Sequence, residues 1–172
     1  MDENIVERCK AGDSGAFRQL YDEYGQMMLR TALRMLGNRQ DAEDAVQSAF
    51  IKLYHSISRF EGRSALSTYL FRILMNCCYD RLAKAKQMRL APIETHEPAV
   101  ESDPTERLTL ETAIDALPPK MKACFTLFAV EGLKQEEIAA IMDLSLGGVK
   151  SNIFHAKRKL RESLKSGGRD EL

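Results

Sequence analysis

Apolar residues recur at a spacing of three and four through three successive stretches of the first half of the chain, and no stretch alternates apolar and polar residues over the length of a strand. Phe17, Leu20, Tyr21, Tyr24, Met28, Ala32, Met35 and Leu36 form the first stripe, and Gly37-Asn38 supplies a stop. Asn38 can cap a second helix with Asp41 at its N3 position. The stripe of that helix is Ala42, Ala45, Val46, Ala49, Phe50, Leu53 and Ile57, and its other face is acidic and polar. After Arg59-Phe60-Glu61-Gly62-Arg63, Ser64 can cap a third helix striped by Leu66, Tyr69, Leu70, Ile73, Leu74, Cys77, Cys78 and Leu82. Three amphipathic helices predict a bundle. Phe71, Met75 and Tyr79 form a second apolar row on the third helix, which either binds a ligand or packs on the first helix.

The pattern breaks at residues 87–106, where Pro92, Pro98 and Pro104 punctuate a run of carboxylates. A chain of 172 residues can hold two small domains, provided each half buries its own core. The expected fold is therefore all-α. One helical domain spans 1–86, a flexible acidic linker 87–104, and a second helical domain 105–172. Asp103-Pro104 can start a short helix through Leu108, Ala113, Ile114 and Leu117 that ends at Pro118-Pro119. Further helices are expected at 120–130, 135–142 and from Ser145 to about Leu164.

Lys134 to Ile153 has the anatomy of a helix-turn-helix. Ile138, Ala139 and Met142 form the inner face of a short first helix, Asp143-Leu144-Ser145 the turn, and Leu146, Val149 and Ile153 the anchors of the second. Gly147, Gly148, Lys150, Ser151 and Asn152 are left facing outward. Lys150 can donate to guanine or phosphate, Asn152 can pair with adenine, and Ser151 can serve either role. Two glycines in a first turn cost about 1 kcal/mol each relative to alanine. Either they admit a phosphate to the helix amino terminus, or the loop runs on and the helix starts at Val149.

The chain carries 25 basic and 25 acidic residues, but they are unevenly spread. Residues 51–90 hold eight Lys or Arg against two carboxylates, 91–117 one against seven, and 118–172 ten against seven. Residues 146–169 alone hold seven basic residues against Glu162, which points to a polyanion partner. Lys157, Arg158, Lys159 and Arg161 lie too far along the helix for base reading and suit phosphate contact or plain solvation. In the first half, Tyr54, Arg59, Phe60, Arg63, Tyr69, Phe71, Arg72, Tyr79 and Arg81 mix aromatic and basic groups in the manner of single-strand binding surfaces. Tyr69 and Tyr54, being on or near the apolar stripe, are read as core rather than as ligand contacts.

Other chemistry has little support. Cys9, Cys77, Cys78 and Cys124 form no CxxC pair and lie apart from His55, His96 and His155, so no metal site is expected. They read as small apolar fillers in a reducing compartment, with a redox role for vicinal Cys77-Cys78 as the alternative. No nucleophile stands at a spacing that would activate it, so no enzyme and no cofactor are expected. No run approaches the length of a membrane span, and Met1 to Lys10 lacks an apolar signal core, which predicts a cytoplasmic protein.

Asp41-Ala-Glu-Asp-Ala-Val-Gln-Ser-Ala-Phe50, Phe60-Glu-Gly-Arg-Ser, Tyr69-Leu-Phe-Arg-Ile-Leu-Met-Asn-Cys-Cys-Tyr-Asp80, Leu117-Pro-Pro and Gly148-Val-Lys-Ser together resemble the extracytoplasmic-function sigma factors of bacterial RNA polymerase. The resemblance covers about 16–86 and 105–164 and implies the family's domain two and domain four in order. It implies binding to core RNA polymerase, through the largest-subunit clamp helices and the flap, and to promoter DNA; an anti-sigma factor is a common further partner. It gives Asp41, Asp44, Gln47 and Ser48 the polymerase contact. It gives Phe60, Gly62, Arg63, Ser64, Ser67 and Arg72 a minus-ten element whose base is flipped into a pocket, at a stacking cost of a few kcal/mol. Gly147, Gly148, Lys150, Ser151, Asn152, His155, Lys157 and Arg158 would face the minus-thirty-five element. Tyr69, Ser48, Gly148 and Asn152 depart from the family's usual Trp, Glu, Thr and Arg. The rival reading is a stand-alone helix-turn-helix regulator that needs no polymerase.

Overall fold

The computed structural model describes residues 2–90 and 110–166. These form eight α-helices and a 3-10 turn, with no strand among the described residues. The first half comprises α1 (Asp2–Lys10), α2 (Ser14–Leu36), α3 (Arg39–Ser56), the 3-10 turn Ile57–Arg59, and α4 (Leu66–Leu90). The second comprises α5 (Leu110–Asp115), α6 (Pro119–Ala129), α7 (Gln135–Met142) and α8 (Leu146–Ser166). No described helix is long and apolar enough to cross a membrane.

Local chemistry sets most boundaries. Asp13 caps α2 by accepting from the Gly15 N–H at 2.8 Å, while the Arg8 guanidinium 2.8 Å away holds its carboxyl below the ordinary range. α2 ends where Gly37 adopts φ 77°, a left-handed conformation that suits glycine, and its N–H donates back to the Leu33 carbonyl. Asn38 caps α3 as expected, accepting from the Asp41 N–H at 2.8 Å. Ser64 does not cap α4: the first helical bond runs from the Tyr69 N–H to the Ala65 carbonyl, which puts Ala65 at the cap position. α4 continues through Leu90, so the first four residues expected in the linker are helical. The rest of the expected linker, and the start of the short helix at Pro104, lie outside the described residues.

α1 was not foreseen. It buries Ile5, Val6 and Cys9, one narrow seam on a charged helix, against α2 and the 3-10 turn. The stripes of α2, α3 and α4 meet around Leu20, Met28, Leu53, Leu70 and Leu74, all essentially inaccessible. The expectation of two self-contained cores is corrected. The main core runs on from these residues into Cys124, Leu127, Ile138, Ile141, Val149 and Ile153 of the second half. Among the described residues, only Ala113, Ile114, Leu117, Ala156 and Leu160 form a separate cluster, where α5 lies on α8.

The reason is the second apolar row of α4. Residues 68, 72, 75 and 79 share one helix face by their spacing. On it, Arg72 donates from Nε and Nη2 to the Ala140 carbonyl of α7 at 2.9 and 2.6 Å. Tyr79 sits near Cys124 of α6, and burial pushes its phenol up. Phe71 and Met75 are buried. The row therefore serves packing, and through Arg72 and Tyr79 this side of α4 meets the second module.

Candidate functional site

Three surfaces gather the expected site residues. The first is an open groove of about 1120 Å³ between α2 and α3. Asp44 and Gln47 of the expected polymerase-binding set line it, beside Phe17, Tyr21, Phe50, Ile51 and Tyr54. Asp41 and Ser48 do not line it, and Ser48 is half-buried. Tyr21, Ile51 and Tyr54 are 55%, 54% and 56% exposed, which corrects the core reading of Tyr21 and Tyr54. Phe17 meets Tyr54, and Tyr21 meets Phe50, each with ring centroids 5.2 Å apart. Their rings are thus held on the groove wall by tilted aromatic pairs instead of being drawn inside. Arg81 of α4 braces the acidic edge, at 3.1 Å from Asp41 and 3.5 Å from Asp44.

A second cleft, of about 160 Å³, lies where the loop after the 3-10 turn meets the start of α4. Phe60, Arg63, Ser64 and Arg72 line it together with Arg59, Glu61 and Tyr69; Gly62 and Ser67 of the expected set do not. Phe60 and Tyr69 make an aromatic wall with centroids 5.0 Å apart. Tyr69 thus belongs to the cleft as well as to the stripe. Gly62 has φ 72°, a left-handed position in the loop that carries Arg63 out to Glu61 at 2.6 Å.

The third surface is the amino-terminal half of α8. α8 begins at Leu146, so the reading in which the helix starts at Val149 is excluded. Ser145 caps it, its Oγ accepting from the Gly148 N–H at 3.1 Å. A Cβ at Gly148 would lie 3.3 Å from that Oγ, so glycine leaves the cap hydroxyl its place. Val149, Ile153, Ala156 and Leu160 anchor α8, whereas Leu146, expected as an anchor, is 36% exposed at the first helical position. The inner face of α7, held between α8 and α4, is centred on Ile138 and Ile141; Ala139 and Met142 are half-buried and pack against the same core.

Gly147, Lys150, Ser151, Lys157 and Arg158 are exposed, with Gly148 and His155 half-covered. Asn152 is half-covered too, and its Nδ2 donates to the Gly148 carbonyl at 2.8 Å. With that donor occupied, the expected bidentate pairing with adenine requires Asn152 to turn away from its own helix. Lys157 lies over the Phe128 ring at 5.0 Å, and Arg158 stands 3.8 Å from Glu162. Sequence reasoning missed Phe154, which is 62% exposed between Ser151 and Arg158 on this face. Its off-stripe position next to Ile153 was the available signal.

The cysteines are all buried and free. Burial pushes the Cys78 thiol up to about 12 and Cys124 to about 11, and raises Cys77 as well, so none is poised as a thiolate. No cluster of His, Cys, Asp and Glu suited to a metal occurs among the described residues.

Residues 20–88 match the Sigma-70 region 2 family and residues 107–160 the Sigma-70, region 4 family. The chain is 33% identical to the RNA polymerase sigma-H factor of Pseudomonas aeruginosa, over 95% of this chain and 93% of the relative. It is 33% identical to the ECF RNA polymerase sigma-E factor of Haemophilus influenzae, over 95% of each chain, and 32% identical to that of Escherichia coli, over 92% of each. Among solved structures it is similar in fold to CnrH in complex with the cytosolic domain of CnrY, with a TM-score of 0.73, 24% identity and coverage of 96% of this chain and 97% of the other. The Bartonella quintana sigma factor RpoE in complex with the anti-sigma factor NepR matches with a TM-score of 0.69 and 24% identity, over 87% of this chain and 96% of the other. Two helical modules in this order, with full-length relatives of one kind, decide between a polymerase factor and a stand-alone regulator: the chain belongs to the ECF family of RNA polymerase sigma factors, which bind core polymerase and promoter DNA and direct transcription initiation.

Proposed function

We propose that the three surfaces divide the work of initiation. The α2–α3 groove docks core polymerase, with Asp44 and Gln47 at its polar edge and Tyr21, Ile51 and Tyr54 as apolar contacts. The observation that carries this reading is the exposure of those three large side chains on one groove, since contiguous apolar surface left in water marks an interaction site. Asp41 and Ser48 act from outside the groove, Asp41 by holding Arg81.

The cleft at Phe60, Arg63, Ser64, Tyr69 and Arg72 takes one unstacked base of the minus-ten element, between an aromatic wall that can stack and guanidinium groups that can follow the backbone. Gly62 and Ser67 shape this loop from outside the cleft. The amino-terminal half of α8 reads the minus-thirty-five element: Lys150 and Ser151 contact phosphate or base edges, and Phe154 offers an apolar contact for a thymine methyl. Gly147 and Gly148 bring the helix amino terminus near a phosphate, and His155, Lys157 and Arg158 continue along the backbone. The first module is domain two and the second domain four, joined by an acidic tether, and the protein acts in the cytoplasm. An anti-sigma factor, as seen with the Bartonella relative, would act by covering the groove.

Run-off transcription with core polymerase tests the division. Asp44→Arg is expected to weaken core binding, while Lys150→Ala weakens promoter use and leaves core binding intact. Core affinity untouched by Asp44→Arg would remove the groove from the reading.

A further inference from the structure

Asn152 is expected to face the minus-thirty-five element, yet its surroundings do not suit a reader. The buried row of α8 is Val149, Ile153, Ala156 and Leu160. At about 100° per residue, Asn152 stands roughly 70° from the centre of that row, on the shoulder of the helix, whereas Ser151 and Arg158 stand roughly 170° from it. Asn152 is half-covered, while Lys150 and Ser151 are exposed. Its Nδ2 donates to the Gly148 carbonyl at 2.8 Å. A carbonyl oxygen only accepts, so the end of the amide that meets it is the NH2 group. Holding that bond keeps the amide against its own helix, away from the outward row.

What the amide touches explains its place. The Gly148 N–H donates to the Ser145 Oγ at 3.1 Å, so Gly148 is tied at its N–H by the side chain before it and at its carbonyl by the side chain after it. Gly147 precedes it, and a Cβ there would meet nothing nearer than the same Oγ at 4.0 Å. Successive glycines have no side chain to pack and the widest backbone freedom of any residue. The first turn of α8 therefore takes its order from these hydrogen bonds, and Lys150 and Ser151 extend from the peptides that follow it. We propose that Asn152 is a positioning residue: its amide holds the Gly147–Gly148 turn in helical geometry, so that Lys150 and Ser151 meet the minus-thirty-five duplex in fixed register, and it reads no base itself. This rests on the assignment of the amino-terminal half of α8 to that duplex. A side chain that acts through the turn affects every base pair read from it together, whereas a reader affects the pair it touches.

The test uses holoenzyme on a promoter duplex that it selects from a randomised library, together with every single-base-pair variant across the minus-thirty-five element. Lys150→Ala and Ser151→Ala first define the base pairs read from α8. Asn152→Ala should then lower discrimination by about threefold at all of those pairs, the worth of one hydrogen bond, with the slope of log Kd against log salt unchanged. In the free chain the same variant should speed amide exchange at 147–149. Asn152→Ser should keep discrimination and exchange within about twofold of the parent, because a serine hydroxyl can donate to the carbonyl four residues back while offering no amide to a base. A loss confined to one base pair and shared by Asn152→Ala and Asn152→Ser would make Asn152 a base reader and overturn the proposal. A salt slope lower by about 1 in Asn152→Ala would make it a phosphate contact, with the same result. Unchanged exchange in Asn152→Ala would remove the hold on the turn. If Lys150→Ala and Ser151→Ala both leave duplex binding as it was, the assignment of α8 fails and the register claim with it, while exchange in the free chain still decides whether Asn152 holds the turn.

Discussion

Replacing Ile51 probes the α2–α3 groove without disturbing the core. Its side chain is 54% exposed, on the rim beside Asp44 and Gln47. Burying an isoleucine fully stabilises by about 1.5–3 kcal/mol, so the half still in water contributes about 1 kcal/mol when a partner covers it. That is about fivefold in Kd for Ile51→Ala. Ile51→Asp adds a carboxylate that must be stripped of water at the contact and should cost about 3 kcal/mol in all, about a hundredfold. Neither change removes a buried group, so folding stability should stay within about 0.5 kcal/mol of the parent. Fluorescence anisotropy of the labelled chain titrated with core polymerase, beside thermal denaturation of the free chain, separates the two effects. If Ile51→Asp binds core within twofold of the parent, the groove is not the docking face. If its melting temperature collapses, the apolar rim is structural and the exposure has been misread.

Lys150→Ala should lower the salt slope of promoter binding by about 1 if its ammonium meets a phosphate, measured as log Kd against log salt concentration. Ser145→Ala removes the hydroxyl that accepts from the Gly148 N–H and should destabilise the start of α8 by about 1 kcal/mol, read as faster amide exchange at 147–149 with little change in α2–α4. Burial pushes the Cys78 thiol from its ordinary 9.0 up to about 12, so above pH 9 the unfolded chain binds fewer protons than the folded one. The stabilisation is fully present below pH 9 and is lost as pH rises toward 12; the melting temperature should fall across pH 9–11, less steeply in Cys78→Ala.

Features governed by neighbours in sequence were legible. The Asn38 cap, the Gly37 stop, and the limits of α7 rest on groups within four residues of one another, and each stands where the spacing put it. The helix-turn-helix likewise follows from local spacing, down to the outward placement of Lys150 and Ser151. Most of what failed depended on distant partners, the cap of α4 at Ala65 in place of Ser64 being a local exception. α1 offers only Ile5, Val6 and Cys9 among charged residues, and only the α2 surface and the 3-10 turn make that seam a core. Tyr21 and Tyr54 share the periodicity of buried neighbours, and hydrophobicity alone does not distinguish a core face from a docking face. Arg72 reaches a backbone carbonyl 68 residues away, and every residue but proline offers the same acceptor, so no residue type could announce it.

The second apolar row of α4 ties these observations together. Leu66, Leu70, Leu74 and Cys78 are buried along the helix, Phe71 and Met75, displaced around it, are 2% and 1% exposed, and α4 packs on α2 and α3 as well as on α7. A helix apolar on two sides needs cover on both. Were the second module to leave, the cover that α7 gives α4 and the partner of the Arg72 fork would go with it, so separation would be favoured only where another surface replaced the one lost. Arg72 borders the cleft walled by Phe60 and Tyr69, so a stacked base and its phosphate would replace part of that cover with matching chemistry. Arg72 is thus shared between two surfaces, holding the Ala140 carbonyl of α7 while it borders the cleft at Phe60 and Tyr69.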